Sequence, residues 1–230
     1  METVLILAGG LSTRLRKFTK NLPKSLVEVA GEPFIAHQLR ELSGQGIQKV
    51  VICTGHLGEQ IEEFVGNGSM FGLEVRYARE KEKLLGTGGA IRNALPLLEE
   101  SFFILYGDSW LNIDYYEVWK AYKKSNCPAL ISIFLNKNHW DKSNVEMAGD
   151  SIKLYSKKNL NKRMTHIDYG LGVMNCSILE SYPKGLKFDL SDIYEKLSLN
   201  SQLAKFETTK RFYEIGSPSG LEELKNYLSS

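Results

Sequence analysis

Leu7-Ala8-Gly9-Gly10-Leu11-Ser12-Thr13-Arg14-Leu15, running on to Pro23-Lys24, begins where a short apolar run, Val4–Leu7, ends. That run is long enough for one buried strand, and the glycine pair at its carboxyl end opens a loop there. Gly9 and Gly10 can take positive φ and bring backbone N–H groups close to a ligand, which is how a loop wraps an anion without side chains. Arg14 and Lys24 add fixed positive charge. A strand, a glycine turn and solvated basic residues would account for a lone Gly-Gly. They do not account for a Gly-Gly, a Thr-Arg and a Pro-Lys within one crossover, each suited to phosphate.

Outward from this loop, strand and helix patterns alternate. After a short extended piece over 26–29, Gly31-Glu32-Pro33 turns the chain into a helix with Phe34, Ile35, Leu39 and Leu42 on one face, ended by Gly44 and Gly46. Val50-Val51-Ile52-Cys53 reads as a second buried strand. Leu57, Ile61, Phe64 and Val65 then recur at helical spacing until Gly66-Asn67-Gly68. Residues 73–78 form a third strand, Thr87 caps a helix through Leu98, and Phe102-Phe103-Ile104-Leu105-Tyr106 is a fourth, wholly apolar strand. Buried strands alternating with amphipathic helices predict an α/β fold built on a doubly wound, mostly parallel sheet. Its ligands belong at the carboxyl ends of the strands, where Gly9, Gly86 and Asp108 fall.

A helix over Tyr115–Ser125 leads to a strand over Ala129–Leu135, and the pattern then changes to shorter, more polar strands around Val145 and Ile152. This half reads as a smaller mixed-sheet lobe. Ser177-Ile178-Leu179-Glu180 fits a capping box, Asp189 caps a helix over Leu190–Leu199, and Ser217-Pro218 opens a final helix through Leu228. No internal repeat or linker marks a second unit, so residues 1–230 are expected to form a single domain.

Composition narrows the function classes. The 230 residues carry 29 Lys and Arg against 27 Asp and Glu, a net of +2, which is too balanced for a nucleic-acid coat or an anionic membrane surface. At 43% hydrophobic and 24% charged residues, the chain is neither disordered nor membrane-embedded. The three cysteines, Cys53, Cys127 and Cys176, lack metal-ligand spacing and read as reduced thiols, and the apolar N-terminal run lacks the basic flank of a signal peptide. A cytoplasmic location is expected. The four histidines pair with no Ser or Cys at a suggestive spacing, so a nucleophilic triad has no support.

Leu-Ala-Gly-Gly-x-Ser-Thr-Arg-Leu followed by Pro-Lys-Ser-Leu resembles the signature of the sugar nucleotidyltransferases, the nucleoside-diphosphate-sugar pyrophosphorylases. Within that family the chain is most similar to the short heptose 1-phosphate guanylyltransferase and N-acetylmuramate 1-phosphate uridylyltransferase type. The resemblance implies a Rossmann-like, GT-A-like nucleotidyltransferase fold with a sugar-binding lobe. Residues 1–125 would mainly hold the nucleotide and 126–230 mainly the sugar phosphate. It implies Mg²⁺ as cofactor and a nucleoside triphosphate and a sugar 1-phosphate as partners, with no nucleic acid and no membrane; a homo-oligomer is compatible with it. Some relatives carry a C-terminal acyltransferase domain of hexapeptide repeats, for which this sequence has no room.

Residue by residue, the resemblance makes Arg14 and Lys24 the catalytic cations and assigns the nucleotide to Leu7, Ala8, Gly9, Gly10, Ser12 and Thr13. It adds Glu80 and the segment Leu85-Gly86-Thr87-Gly88-Gly89-Ala90, from which Gly86, Thr87 and Gly88 would hold base and ribose, and Gly107. The stretch between Glu80 and Leu85 is a residue longer than the usual Glu-x-x-Pro-Leu spacing. Asp108 ends a strand with a carboxylate where a hard cation bridging triphosphate oxygens would want one, and in the family this aspartate is a metal ligand. The family's second ligand is the aspartate of Asp-Ile-Gly-Thr-Pro, which here reads Glu214-Ile215-Gly216-Ser217-Pro218. Glu214 is therefore expected to reach the metal directly or through a water.

For the sugar phosphate, the family's lysine maps onto Lys157 or Lys158. If 152–158 is extended, Lys158 shares a face with Ile152 and Leu154 and turns inward, which favours Lys158; a bulge would swap the two. Ile167-Asp168-Tyr169-Gly170 resembles the family's Asn-x-Gly segment, so Asp168, Tyr169 and Gly170 are expected at the sugar hydroxyls. The activity implied is attack of a sugar 1-phosphate oxygen on the α-phosphorus of a nucleoside triphosphate. Two rivals stand beside it: cytidylyl transfer to phosphocholine or another phosphorylated alcohol, and a nucleotide-sugar-binding regulatory protein without turnover, which the Glu214 replacement admits. A glycosyltransferase is disfavoured because no Asp-x-Asp follows a strand.

Overall fold

The computed structural model describes residues 2–10, 21–80 and 83–229. Strand β1 is Val4–Leu7, and a short hairpin of β2 (Glu28–Val29) and β3 (Glu32–Pro33) leads into α1 (Phe34–Gly44). Next come β4 (Lys49–Thr54), α2 (Gly58–Val65), β5 (Glu74–Arg79), α3 (Gly86–Ala94) and β6 (Ser101–Tyr106), then β7 (Ser109–Leu111) and α4 (Tyr115–Ser125). The second half contains β8 (Ala129–Leu135), β9 (Val145–Ala148), β10 (Ser151–Tyr155), the long β11 (Met164–Asn175), α5 (Ser177–Glu180) and α6 (Leu190–Leu199). It closes with β12 (Leu203–Thr208), β13 (Phe212–Glu214) and α7 (Pro218–Ser229).

Among the described residues nine strands form one sheet in the order β10-β9-β11-β6-β1-β4-β5, with β8 beside β11 and β12 beside β8. The segment β6-β1-β4-β5 is parallel throughout, whereas β11 runs antiparallel to β6, β8 and β9. Parallel strands need both faces covered, because their crossover helices lie on the faces. That is why their sequences are continuous apolar runs. Along β1, β4 and β6, the side chains of Val4, Ile6, Val50, Ile52, Phe103 and Leu105 enter one core with Leu39 and Ile61. The alternate residues Leu5, Val51, Phe102 and Ile104 enter the other with Ile91 and Ile193.

Register brings the strand ends level. Leu7 lies beside Cys53 on β4 and beside Tyr106 on β6, so Ala8, Thr54 and Gly107 lie level at one edge of the sheet. The C-terminal segment returns to that edge, since β13 pairs with β7 with Glu214 opposite Ser109. A small third core of Val29, Phe34, Ile215 and Leu224 fastens α7 beneath it.

Several local expectations are corrected. Of the extended piece over 26–29 only Glu28–Val29 is a strand; Lys24–Leu26 is a 3₁₀ turn closed by Val27 N on Lys24 O at 3.1 Å. The third helix ends at Ala94 and continues as a 3₁₀ turn through Leu97, because Pro96 cannot donate to the ladder. Ser177 forms no capping box: Cys176 takes the cap position, and Asn175 Oδ1 accepts from Ser177 N at 3.0 Å. Thr87 sits inside the first turn of α3 and accepts from Leu190 N at 2.8 Å, so it serves α6 instead of its own helix. Asp189 does take the cap position of α6, with its carboxylate turned to Thr87 and not to its own helix. Ser217-Pro218 opens α7 as expected, and Ser217 Oγ accepts from Gly220 N at 3.0 Å.

Candidate active site

At the carboxyl edge of β1, β4, β5 and β6 lies a cavity of about 360 Å³. Leu7, Ala8, Gly9 and Gly10 form one wall, Glu80, Gly86 and Thr87 another, and Lys24, Gly107 and Asp108 close one end. These residues come from five separate segments, and the register of the parallel strands is what brings them level. Ser12, Thr13 and Arg14 lie outside the described residues. Gly88, expected at the nucleotide, does not reach the cavity. Its missing side chain is filled by the Phe188 ring, while Gly86 and Gly89 face the Phe188 and Leu186 carbonyls, so that a Cβ on either would lie 2.6 Å from an oxygen. Phe188 is itself held by stacking on Tyr182, with ring centroids 4.6 Å apart. The glycines at 86, 88 and 89 are thus needed for polypeptide packing, and of them only Gly86 also lines the cavity, with Thr87 and Ala90 from the same segment.

Lys24 sits at the Asp108 end of the cavity. Its Nζ donates to Asp108 Oδ2 at 2.8 Å, with the lysine side chain 17% and the aspartate 39% exposed. Ser25, beside it, keeps a buried hydroxyl with no hydrogen-bond partner among the described residues. Gly216 lies so near that a Cβ there would be 2.8 Å from the ammonium, and Ile215 N donates to Asp108 O at 2.9 Å. Both Glu214 oxygens are engaged within its own loop: one accepts from Gly216 N, the other from Ser217 Oγ at 2.5 Å. The geometry gives Glu214 a loop-fastening position, and its carboxylate faces that loop.

Across Tyr106 and Asp108 a second, larger cavity of about 740 Å³ opens onto the lobe formed by β8 to β13. Asp168, Tyr169 and Gly170 line it together. Gly170 has φ of +107°, and the pairing of β11 with β8 shifts register between Asp168 and Gly172. This bulge re-aims the strand. Asp168 accepts from Gly170 N at 3.1 Å and from the Tyr155 hydroxyl at 3.2 Å, and its own N–H donates to Asn144. Burial raises its carboxyl above the ordinary aspartate value, against the lowering effect of nearby Lys157 and of the Gly170 and Tyr155 donors. Tyr169 donates from its hydroxyl to Arg211 O at 3.2 Å.

The two lysines are placed opposite to expectation. A register shift between Ile152 and Leu154 puts Tyr155 and Ser156 in the interior. Lys157 then reaches back over Tyr106, its ammonium 4.8 Å from the ring centroid, and lines the second cavity. Lys158 turns away, 62% exposed, and pairs with Asp192. Sequence reasoning also missed Asp189, which lines the first cavity from the second half of the chain, because a cap position explained it adequately. It missed Arg211, whose guanidinium lies 3.5 Å from the Trp140 ring centroid and 4.7 Å from that of Tyr213 and pairs with Glu223. No local pattern marks that residue.

A nucleotidyl transferase family model matches residues 3–144 of the chain. D-glycero-alpha-D-manno-heptose 1-phosphate guanylyltransferase of Aneurinibacillus thermoaerophilus is 29% identical over 234 residues, covering 99% of this chain and 100% of that protein. N-acetylmuramate alpha-1-phosphate uridylyltransferase of Neisseria meningitidis serogroup B is 38% identical over 132 residues, covering 57% of this chain and 56% of that one. Among solved structures, HddC from Yersinia pseudotuberculosis, crystallised with GMP-PN, superposes with a TM-score of 0.82 at 26% identity, covering 99% of this chain and 100% of that one.

Proposed function

The chain belongs to the nucleotidyl transferase family, and from that premise we propose that it moves a nucleotidyl group from a nucleoside triphosphate to a sugar 1-phosphate. The products are a nucleoside-diphosphate sugar and pyrophosphate. The observation that carries this reading is the meeting of two cavities at one wall, Tyr106 and Asp108, with Lys24 on one side of that wall and Lys157 on the other. Each substrate brings a phosphate to a lysine, and the wall is where the two phosphates meet.

An ionised phosphate oxygen of the acceptor needs no general base. It forms a bond to the α-phosphorus as the bond to the leaving pyrophosphate breaks, with no covalent enzyme intermediate. Catalysis then rests on alignment and on fixed charge near the phosphates. We assign Lys24 to the triphosphate, where its ammonium exchanges Asp108 for phosphate oxygens, and Lys157 to the acceptor phosphate. Arg14, with Ser12 and Thr13, is assigned to the triphosphate on the strength of the loop's signature. Asp168, Tyr169 and Gly170 are assigned to acceptor hydroxyls, for which an aspartate that accepts and a bulged backbone provide the contacts.

A divalent cation fits the donor set. Among the described residues no three His, Cys, Asp or Glu side chains converge, which suits a cation that keeps waters and is shared between one or two carboxylates and substrate phosphates, as Mg²⁺ is. Asp108 is the carboxylate we assign to it, with Glu214 holding Gly216 and Ser217 around it. Mg²⁺ bound there would neutralise charge on the phosphates. In this assignment residues 1–125 serve mainly the nucleotide and 126–230 mainly the sugar phosphate within one domain, with Asp189 and Gly216 crossing over. Among the described residues no helix is long and apolar enough to cross a membrane.

Pyrophosphate release tests the proposal: nucleoside triphosphates and Mg²⁺ are crossed with a panel of sugar 1-phosphates. At least one pair should release pyrophosphate with both substrates required. Silence across the panel with triphosphate still bound would refute turnover.

A further inference from the structure

Asn144 lines the second cavity together with Lys157 and Asp168, although it is only 6% exposed. It stands just before β9, where three hydrogen bonds clamp it. Its backbone N donates to His166 O on β11 at 2.9 Å, and its backbone O accepts from Ser156 N, one residue before Lys157, at 2.9 Å. Its side-chain Oδ1 accepts from Asp168 N at 2.9 Å. Asn144 therefore joins the end of β10, which leads to Lys157, to the part of β11 that carries Asp168.

The Oδ1 bond decides which way round the amide lies. A backbone N–H can only donate, so the amide oxygen faces Asp168 N and the Nδ2 amino group takes the other position. Among the described residues that amino group has no partner. A nearly buried donor is costly to leave unpaired, and a ligand in the cavity that Asn144 lines would supply the acceptor it needs. Asp168, held beside it by the same hydrogen bond, presents the opposite character. Its two oxygens already accept from Gly170 N and from the Tyr155 hydroxyl, and an ionised carboxylate has acceptor capacity left over but no hydrogen to give.

We propose that Asn144 is a specificity-determining residue whose amino group donates to one hydroxyl of the sugar 1-phosphate, the same hydroxyl donating to Asp168. The inference rests on the nucleotidyl-transfer reading and narrows the acceptor that the second cavity takes. A donor and an acceptor side by side are both satisfied by a group that can accept and donate at one atom. A carbonyl or ether oxygen accepts from Asn144 and gives nothing to Asp168. An ammonium group donates to Asp168 and takes nothing from Asn144. A free hydroxyl does both. The acceptor is therefore a sugar with an unsubstituted hydroxyl at that carbon, and a deoxy, O-alkylated or amino sugar modified there is rejected. Rejection follows because the wrong sugar leaves a buried polar group of the protein unpaired, which costs more than the lost contact alone.

Steady-state pyrophosphate release by the full chain with Mg²⁺ and nucleoside triphosphates tests this. The acceptor is whichever of glucose, mannose, galactose and heptose 1-phosphate turns over fastest, followed by its monodeoxy and monodeoxyfluoro derivatives at each hydroxyl-bearing carbon. At one carbon both replacements should raise the KM for the sugar at least about ten-fold, the scale of leaving a buried donor unpaired, with the KM for triphosphate little changed. In Asn144→Ala the penalty for deoxygenation at that carbon should shrink several-fold. A merely structural Asn144 would instead raise the KM for the parent sugar and its deoxy derivative by the same factor, which would overturn the assignment. If the variant does not fold, the derivatives on the unaltered protein still decide: tolerance of every monodeoxy sugar within about two-fold, or fluorine serving as well as hydroxyl at every carbon, would overturn the assignment while leaving nucleotidyl transfer standing. Absence of pyrophosphate release with every sugar 1-phosphate would overturn both.

Discussion

Lys24 and Asp108 form a partly buried ion pair that a bound triphosphate would dissolve, so each should matter more to turnover than to folding. Lys24→Met is expected to lower kcat by about 10²–10³-fold, the usual scale of losing one transition-state charge contact. Steady-state pyrophosphate release measures it, and an unchanged kcat would remove Lys24 from the phosphates. Lys157 and Lys158 give a sharper contrast. Loss of a charge-assisted hydrogen bond costs about 1.5–3 kcal/mol, so Lys157→Ala should raise the KM for sugar 1-phosphate roughly ten-fold or more with little change for the triphosphate. Lys158→Ala should change neither, and the reverse pattern would return the role to Lys158. Asp168 supplies a pH test. Its folded pKa is raised, so its contribution to stability is fullest below the unfolded value of about 3.9 and is lost as pH rises through the folded value. Asp168→Asn, which keeps an acceptor for the Tyr155 hydroxyl, does not suffer that loss. The variant's stability relative to the parent should therefore grow as pH rises from 4 to 8 in urea unfolding, even as its activity falls; a gap that narrows with pH would contradict burial as the cause.

At the scale of elements, the α3 segment separates two uses of glycine that look identical in sequence. Gly-Thr-Gly-Gly reads as a nucleotide loop, yet the chain packs Phe188 and Leu186 against three of its glycines. Gly88→Ala would force the Phe188 ring off Tyr182 and should cost about 1–3 kcal/mol by overpacking. Thermal unfolding should fall accordingly while the KM for triphosphate stays near that of the parent; a raised KM at unchanged stability would instead mean that Gly88 touches the nucleotide. The parallel strands were fully legible because a two-face burial demands an unbroken apolar run, and β1, β4 and β6 have one. The turn of Lys157 was not. It depends on a register shift between Ile152 and Leu154, and nothing in the local sequence sets that irregularity. Thr87, Asp189 and Phe188 were misread or overlooked for a related reason, since their partners lie about a hundred residues away: Thr87 accepts from Leu190 N, and Gly88 N and Gly89 N donate to Phe188 O.

The whole molecule is arranged so that each half closes the other's cavity. The second half lends Asp189 and Gly216 to the first cavity, and the first half lends Tyr106, Asp108 and Ser109 to the second. Such interleaving explains why the Gly-Gly to Pro-Lys signature and the Gly107-Asp108 strand end point from the sequence to residues that share one cavity, whereas the lining of the second cavity stays indistinct. The signature comes from one crossover. The second cavity needs β7, β11 and β13 to be brought together, with Arg211 over the Trp140 and Tyr213 rings only in the folded chain. The most direct test of the central claim is phosphorus NMR of a complete reaction, run with Mg²⁺, a nucleoside triphosphate and a sugar 1-phosphate carrying ¹⁸O on its non-bridging phosphate oxygens. The account predicts a coupled pair of diphosphate resonances from the nucleotide sugar, with the label in the bridge between its two phosphorus atoms and unlabelled pyrophosphate. Labelled pyrophosphate, or nucleoside monophosphate as the only nucleotide product, would contradict it.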